Sequence, residues 1–373
     1  MRIAHVVTYI SNDGSFGGPV RVALSQAAAL AARGHDVTVY GASPDAVPRT
    51  VRQDGYRLRM FPARRLHRAL GFAGMFAPGL TRALKAEIHA IDVVHVHLAR
   101  DLVTLPAARA ARKAGVRLIV QPHGMIDRST NPLAVPVDAW EVRPALRAAS
   151  TVLTLTDQEQ RDIRAIVPTA RVRSIGNGIV VADVPDYEGR ANEVLFLARL
   201  HPRKRAVAFV EMASELIARG ETATFTLAGP DEGDGEGVRA AIRRSPAPER
   251  IRWIGPVDPA LTDALLRRVR VFVLPSTGEI FPMAILEAFA AGTPVVTTDS
   301  LGIAAACRGY DAAAVTDGSI SALADAVSAV LASSERAHEL RTGARTYVTE
   351  ELGIDRVVAE LLDTYGAIEE LST

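Results

Sequence analysis

The sequence predicts an α/β protein of two Rossmann-like, doubly wound domains, and three observations carry that reading. At 373 residues the chain is too long for one ordinary core. Its first 40 residues spell strand, loop, helix, strand, which is a βαβ unit. The same order restarts at Val194, where a strand is again followed by a loop and a helix. The intervening VPDYEGRA (184–191) has the polar, Pro- and Gly-bearing character of a linker. The expected division is a domain over 1–182, a linker over 183–192 and a domain over 193–373.

In the N-terminal half, Arg2 to Tyr9 reads as a strand, SNDGSFGG as a small polar loop and Pro19 to Arg33 as a helix ended by Gly34. Gly17 and Gly18 stand where loop meets helix, so backbone amides there can approach a phosphate or sugar closely. Paired glycines also serve a plain turn. Residues 60–85 interleave Arg64, Arg65, His67 and Arg68 with Phe61, Leu66, Leu70, Phe72, Met75 and Phe76. That pattern suits either a basic amphipathic segment on anionic lipid or a satellite helix over the N-terminal core, and Gly71, Gly74 and Pro78 argue against one long surface helix.

Ile91 to Leu98 is a strand with His95 and His97 on one face by alternation. No acidic or cysteine partner at a recognisable spacing supports a metal site, and the pair reads as polar groups at the ligand end of a parallel strand, open to an acceptor. His123 ends the next strand, Val116 to Gln121, and open α/β sheets bind ligands at strand ends. Thr156 with Glu159 reads as a capping box, and Asn177 with Gly178 as a tight turn.

In the C-terminal half, Arg199 and Lys204 flank the loop after the first strand. Both can face a diphosphate at a helix N-terminus, the Arg as a fork and the Lys as a point charge. The acidic DEGDGEG that follows Gly229 lacks the spacing of a calcium loop and reads as a flexible connection near a nucleotide. Val271 to Asp299 then runs strand, loop, helix, strand. Glu279 precedes the helix expected over Ile280 to Ala291, and Glu287 lies within it. Carboxylates accept from hydroxyl groups and a helix N-terminus attracts anions, which suits a phosphorylated, polyhydroxylated ligand. Each Glu alone also reads as a first-turn or solvated helix residue.

The frame PSTGEIFPMAILEAFAAGTPVV, with seven residues between its glutamates, resembles the E-x7-E signature of glycosyltransferase family 4, retaining enzymes of the GT-B fold. GGPVRVALSQAAALAARGHDVTVY, QPHGMID, the Asn177-Gly178 turn and the Arg199-x4-Lys204 pair resemble further elements of that family in the same order. The resemblance implies two domains facing each other across a cleft, with the last helix, about 354–371, crossing back onto the first domain. It places His123, Glu279, Arg199 and Lys204 at the reacting centre. It assigns donor binding to Arg199, Lys204, Gly229, Glu279, Ile280, Phe281, Pro282, Met283 and Glu287, and puts the Gly17–Gly18 loop in the cleft. Many members carry Gly where Pro282 stands, so one amide facing the sugar is missing here. The segment after Asp299, SLGIAAACRG, also departs from the family's Gly-x-x-Glu.

The activity implied is transfer of a sugar from a nucleotide sugar, a substrate, to a hydroxyl of a glycan, lipid-linked or small-molecule acceptor. Retention, no cofactor and no metal are expected. A sugar-nucleotide epimerase and a catalytically silent pseudo-glycosyltransferase are the alternatives.

Composition sets the remaining bounds. With 48% hydrophobic and 23% charged residues the chain has the make-up of a soluble protein, its single Cys307 excludes an internal disulfide, and no uncharged apolar run approaches the roughly 20 residues of a membrane helix. Met1 to Tyr9 lacks the apolar region and cleavage site of a signal peptide, so a cytoplasmic setting is expected. Residues 1–182 hold 24 Lys or Arg against 13 Asp or Glu, a charge of +11; the remainder holds 19 against 29, a charge of −10. The basic half suggests an anionic partner, an acceptor or the inner face of the plasma membrane, although solvated Arg-rich faces give the same count. Nucleic acid is not expected, because no interleaved aromatic and basic stretch and no binding motif is present.

Overall fold

The computed structural model describes residues 1–10, 17–66, 73–127, 134–181 and 187–366. It divides into two compact units, Met1–Gly178 with Ile354–Thr373, and Ile179–Gly353. The loop before Gly17, the middle of the 60–85 segment and the start of the expected linker lie outside the described residues.

Unit 1 runs β1 (Arg2–Tyr9), α1 (Gly17–Ala32), β2 (Asp36–Ser43), β3 (Arg49–Gln53), β4 (Tyr56–Pro62), β5 (Arg64–Arg65), β6 (Met75–Phe76), α2 (Pro78–Glu87), β7 (Val93–Val96), α3 (Thr104–Ala114), β8 (Arg117–Val120), α4 (Ala134–Val137), α5 (Arg143–Ala148), β9 (Thr151–Thr154), α6 (Asp157–Ile166) and β10 (Val172–Ser174). Among the described residues its main sheet has the order β10-β9-β8-β7-β1-β2-β4-β3 and is parallel except for the β3–β4 pair. Successive side chains of a strand point to opposite faces, and both faces are covered, so the strands read as continuous apolar runs. Ala4, Val6, Val94, Val96 and Val120 pack with Leu80 and Leu84 of α2 and with Leu105 and Ala108 of α3. Ile3, Val7, Val93 and Ile119 pack on the other face with Ala23, Ala27 and Leu30 of α1 and with the C-terminal helix Ile354–Gly366, through Val357, Val358, Leu361 and Tyr365.

Unit 2 runs β11 (Ala191–Leu197), α7 (Ala206–Ala218), β12 (Thr224–Ala228), α8 (Gly235–Arg244), β13 (Ile251–Trp253), α9 (Thr262–Arg268), β14 (Val269–Leu274), α10 (Met283–Ala290), β15 (Val295–Thr298), α11 (Ala304–Gly309), β16 (Ala314–Thr316), α12 (Ile320–Ala332) and α13 (Ser334–Tyr347). The sheet is wholly parallel with the order β13-β12-β11-β14-β15-β16. Counted from β11 this is 3-2-1-4-5-6, the doubly wound order whose direction reverses between its first and fourth strands. The loops after β11 and β14 therefore diverge from neighbouring strand ends. Arg199 to Lys204 lie on one and Pro275 to Pro282 on the other.

Four sequence expectations are corrected here. Residues 187–192 are not a linker: Tyr187 is buried with its hydroxyl donating to the Arg270 carbonyl, and the buried Arg190 guanidinium bonds the Thr293 hydroxyl at 2.7 Å and the Ala291 carbonyl at 2.8 Å. The division falls at Gly178, where an added Cβ would lie 2.5 Å from Ile354 Cδ1 at φ +81°. In the 60–85 segment, Arg64–Arg65 pairs antiparallel with Met75–Phe76 and the helix begins only at Pro78. The helix expected from Ile280 begins at Met283, because a proline pushes the residue before it out of the helical region; Pro282 itself is extended at ψ 108°.

Candidate functional site

In unit 2 the two diverging loops are stitched together. After β11, Leu200 donates to the Pro230 carbonyl at 2.8 Å. A single 3₁₀ turn, Pro202–Lys204, is capped by His201 and stopped by Arg205 at φ +55°. The Thr277 amide donates to the Arg203 carbonyl, Arg203 donates to the Gly278 carbonyl, and Arg205 reaches the carbonyls of Pro275 and Gly318. This frame brings Lys204 Nζ to 2.5 Å from Glu279 Oε2, with the two side chains 17% and 18% exposed. Burial pushes the Lys204 ammonium down, Glu279 pulls it back up, and Arg199 and Arg203 lower it further.

Glu279 is fixed from the other side as well, since its carbonyl accepts from the Gly302 amide at 2.8 Å. Its second carboxylate oxygen, Oε1, is buried without a protein hydrogen-bond partner. Arg199 pairs with Glu232 at 2.6 Å. The acidic loop carrying Glu232 is not the loose connection its composition suggests: the Glu232 amide donates to the Leu200 carbonyl, and Asp231 Oδ1 accepts from the amides of Gly233 and Gly235.

Of the other residues read from the sequence, Gly229 lies at φ +144° where an added Cβ would be 1.9 Å from the Ala198 carbonyl oxygen, so only glycine fits. Phe281 and Met283 pack against the core of unit 2. Ile280 and Pro282 precede α10, and Glu287 is the fifth residue of that helix, partly exposed. Gly302, Arg203 and Arg205 were not singled out by the sequence. Nothing in their local spacing marks them, because each acts on a carbonyl of a distant loop.

In unit 1 the histidines gather on the face covered by α1 and the C-terminal helix. His5 and His95 are register partners on β1 and β7. With His97 they are 0–1% exposed, which corrects the expectation that His95 and His97 are open to an acceptor. Their ligand nitrogens lie within 4.8 Å of one another. His5 Nδ1 is 3.1 Å from His97 Nε2, His97 Nδ1 is 2.7 Å from His123 Nε2, and His95 Nδ1 is 2.7 Å from the Tyr365 hydroxyl. Burial holds His5 and His123 down at about 3 and keeps His95 and His97 well below the usual histidine value; Asn177, hydrogen-bonded to His123, works in the opposite sense there.

His123 sits at φ +52° and Gly124 at φ +73°, a left-handed turn ending β8. The buried Glu159 holds it, accepting from the Gly124 amide at 2.6 Å and the Leu155 amide at 2.7 Å. Gly18, in the first turn of α1, has nothing within 4 Å of an added Cβ.

Residues 17–178 match the glycosyl transferase 4-like domain, and residues 191–333 match glycosyl transferases group 1. A 2-deoxystreptamine glucosyltransferase of Streptomyces kanamyceticus is 28% identical over 352 residues, covering 84% of this chain and 88% of its own. Among solved structures, sucrose-phosphate synthase of Thermosynechococcus elongatus superposes with TM-score 0.75 at 18% identity over 100% of both chains. Anabaena HepE, solved with UDP-glucose, gives 0.72 at 17% identity over 98% of this chain and 100% of its own. These similarities show the GT-B fold. With two domain matches that together span most of the sequence, the chain belongs to the family-4-like, group 1 glycosyltransferases and is an enzyme of the hexosyltransferase type.

Proposed function

We propose that this glycosyltransferase moves a hexose from a nucleoside diphosphate sugar to an acceptor hydroxyl, with retention and without a metal ion. The observation that carries the reading is Glu279, held by Lys204 through one oxygen while the other, Oε1, is buried with no donor. A sugar hydroxyl supplies that donor. Lys204, Arg199 and Arg203 crowd positive charge beside it, and a diphosphate leaving group relieves their mutual repulsion. These cations take the part that a divalent ion plays in other transferases.

Retention is supported by which of the assigned groups are free to act. Inversion needs a base to take the acceptor proton from the far face of the sugar. Glu279 is tied to Lys204, and His123, assigned to the same sugar by its motif, is held down at about 3 and is a weak base. With neither assigned group free, the proposed mechanism gives the proton to the departing phosphate oxygen, on the face where the acceptor enters. The C–O bond to the diphosphate breaks, the bond to the acceptor oxygen forms on that face, and the diphosphate leaves carrying the proton. Glu287 and Gly229 remain proposed donor contacts, and Gly17 with Gly18 a proposed point of close backbone approach.

UDP-glucose is the first donor to test, given the HepE complex, and a polyhydroxylated aminocyclitol the first acceptor, given the 2-deoxystreptamine glucosyltransferase. A lipid-linked acceptor at the inner membrane face remains the alternative for the basic half, whose helices, where described, are nowhere long and apolar enough to cross a membrane. Calorimetric titration of metal-free protein with UDP-, GDP-, ADP- and TDP-glucose should show one donor class binding, and Lys204→Ala should weaken it. Absence of binding by every nucleotide sugar would remove the proposal. Proton NMR of the product then reads the anomeric configuration.

A further inference from the structure

His5, His97 and His123 form a line of hydrogen-bonded imidazoles running from the interior of unit 1 to the end of β8. The ring planes of His97 and His123 are nearly parallel, 14° apart with centroids 5.0 Å apart; those of His5 and His97 are 28° and 5.4 Å apart. In both pairs the centroid separation exceeds the N···N distance by the same amount, about one ring width, as expected when both nitrogens lie on the line joining the ring centres. Each contact is therefore an in-plane N–H···N bond that needs one proton and one lone pair. A neutral imidazole has one of each. Every bond in the line must then point the same way.

The direction is set at the buried end. His5 Nε2 is enclosed and has no partner. If the line ran inward from His123, that nitrogen would carry an orphaned N–H; if it runs outward, it carries only an unused lone pair. Buried N–H groups without partners are the rarer and costlier defect. His5 Nδ1–H thus donates to His97 Nε2, and His97 Nδ1–H to His123 Nε2. His123 is left with its proton on Nδ1.

We propose that His5 and His97 are positioning residues that lock His123 as the neutral Nδ1–H tautomer, so that no imidazolium forms beside the sugar while positive charge develops on it. Protonating His123 or His97 would either set N–H against N–H or reverse the line and leave an orphaned N–H on His5 Nε2, which is sealed from solvent. The same geometry disfavours the three-histidine metal site that the ligand distances alone allow: the His97 Nε2 lone pair is aimed at a proton on His5, and among the described residues neither carboxylate nor thiolate joins the group. The kinetic consequence rests on the proposed assignment of His123 to the donor sugar, whereas the tautomer does not.

Side-chain ¹⁵N NMR of histidine-labelled wild-type protein between pH 5 and 8 tests the tautomer without any substrate. Protonated Nδ1 and unprotonated Nε2 at His5, His97 and His123, unchanged across that range, are expected. Protonated Nε2 at His123, a titrating His123, or stoichiometric zinc with metal-shifted resonances would overturn the proposal. His97→Phe leaves His123 Nε2 without its donor, so protonated Nε2 should appear at His123 in the ¹⁵N spectrum and kcat should fall with KM for the donor nearly unchanged. His97→Gln, whose amide can donate to His123 Nε2, should restore the wild-type tautomer and kcat. His5→Phe should show the same change if His97→Phe does not fold. A folded variant with changed tautomer and wild-type kcat would show the line to be structural only. Loss of all transfer with every donor, beside the expected NMR pattern, would count against the proposed function and not against the tautomer.

Discussion

Glu159 Oε1 accepts from the Gly124 amide at 2.6 Å, so a helix-capping carboxylate holds the turn that carries His123. The sequence reads Thr156 and Glu159 as a capping box, and half of one is present: Thr156 accepts from the Glu159 amide. The glutamate does not complete it by bonding the Thr156 amide. It reaches past, to Leu155 and Gly124. Glu159→Ala should leave two amides, one buried and one partly buried, without acceptors and cost about 3 kcal/mol, from two bonds to a charged group. Urea unfolding checks this as a lower midpoint at unchanged slope. A change near zero would mean that water replaces the carboxylate.

Lys204→Met should weaken binding of a nucleotide sugar by roughly 10- to 100-fold, the range for losing a charge-assisted bond to phosphate. Glu232→Gln should do the reverse. Arg199 is paired with Glu232, and a diphosphate competes for the same guanidinium. Removing that competitor should tighten binding by roughly two- to five-fold, as for other partly exposed pairs. Titration of the two variants beside the wild type separates the effects. Equal affinity of Glu232→Gln and wild type would show that Arg199 holds Glu232 and the phosphate together.

Which parts of this were legible in the sequence follows from the distance over which each works. Strand and helix periodicity, the Arg199–Lys204 loop and the Glu279–Glu287 frame are local patterns, and the structure brings Lys204 and Glu279 into contact because β11 and β14 are neighbours. His5 carried no signal. One histidine in an apolar strand acquires a role only when parallel pairing sets it beside His95, 90 residues on. Arg190 was misread for the same reason, since the carbonyls that satisfy it come from residues 266–291 and lend no polarity to its own neighbourhood. Pro282 was misplaced by one turn because apolar spacing alone does not locate a helix start.

Acid should destabilise this fold in a way set by the histidines. His5 and His123 fall from 6.5 in the unfolded chain to about 3 when folded, and His95 and His97 fall in the same direction. The unfolded chain therefore binds more protons between pH 3 and 6.5, and stability is present above that window and lost as pH falls through it. Asp101, raised by burial from 3.8 to about 6, and Glu159, also raised, work against this, because below their folded values the native state holds the extra proton. Four lowered histidines against two raised carboxylates leave a net uptake of protons on unfolding, so the loss of stability on acidification outweighs the gain. Urea midpoints from pH 7 to 4.5 measure it. Stability that rises on acidification would mean that the carboxylates dominate.

Gly302 lies in the segment that departs from the family's Gly-x-x-Glu, and its lack of a side chain sets where Glu279 stands. A Cβ added there would lie 2.4 Å from the Ile280 carbonyl oxygen and 3.1 Å from Ile280 Cα, backbone atoms that have no flexible end to yield. Gly302→Ala must therefore push Ile280 away and stretch the 2.8 Å bond from the Gly302 amide to Glu279. A stability loss of about 1–3 kcal/mol is expected from such overpacking. Donor affinity should fall with it, because Glu279 moves while Lys204 stays. Gly18→Ala is the opposite case. Nothing lies within 4 Å of its added Cβ, and alanine is the better helix former, so its unfolding midpoint should match or exceed the wild type. If a substrate approaches the Gly18 backbone, kcat/KM alone will drop in that variant. An unchanged kcat/KM would remove the Gly17–Gly18 turn from the site, and an unchanged donor affinity in Gly302→Ala would show that the position of Glu279 is held by Lys204 alone.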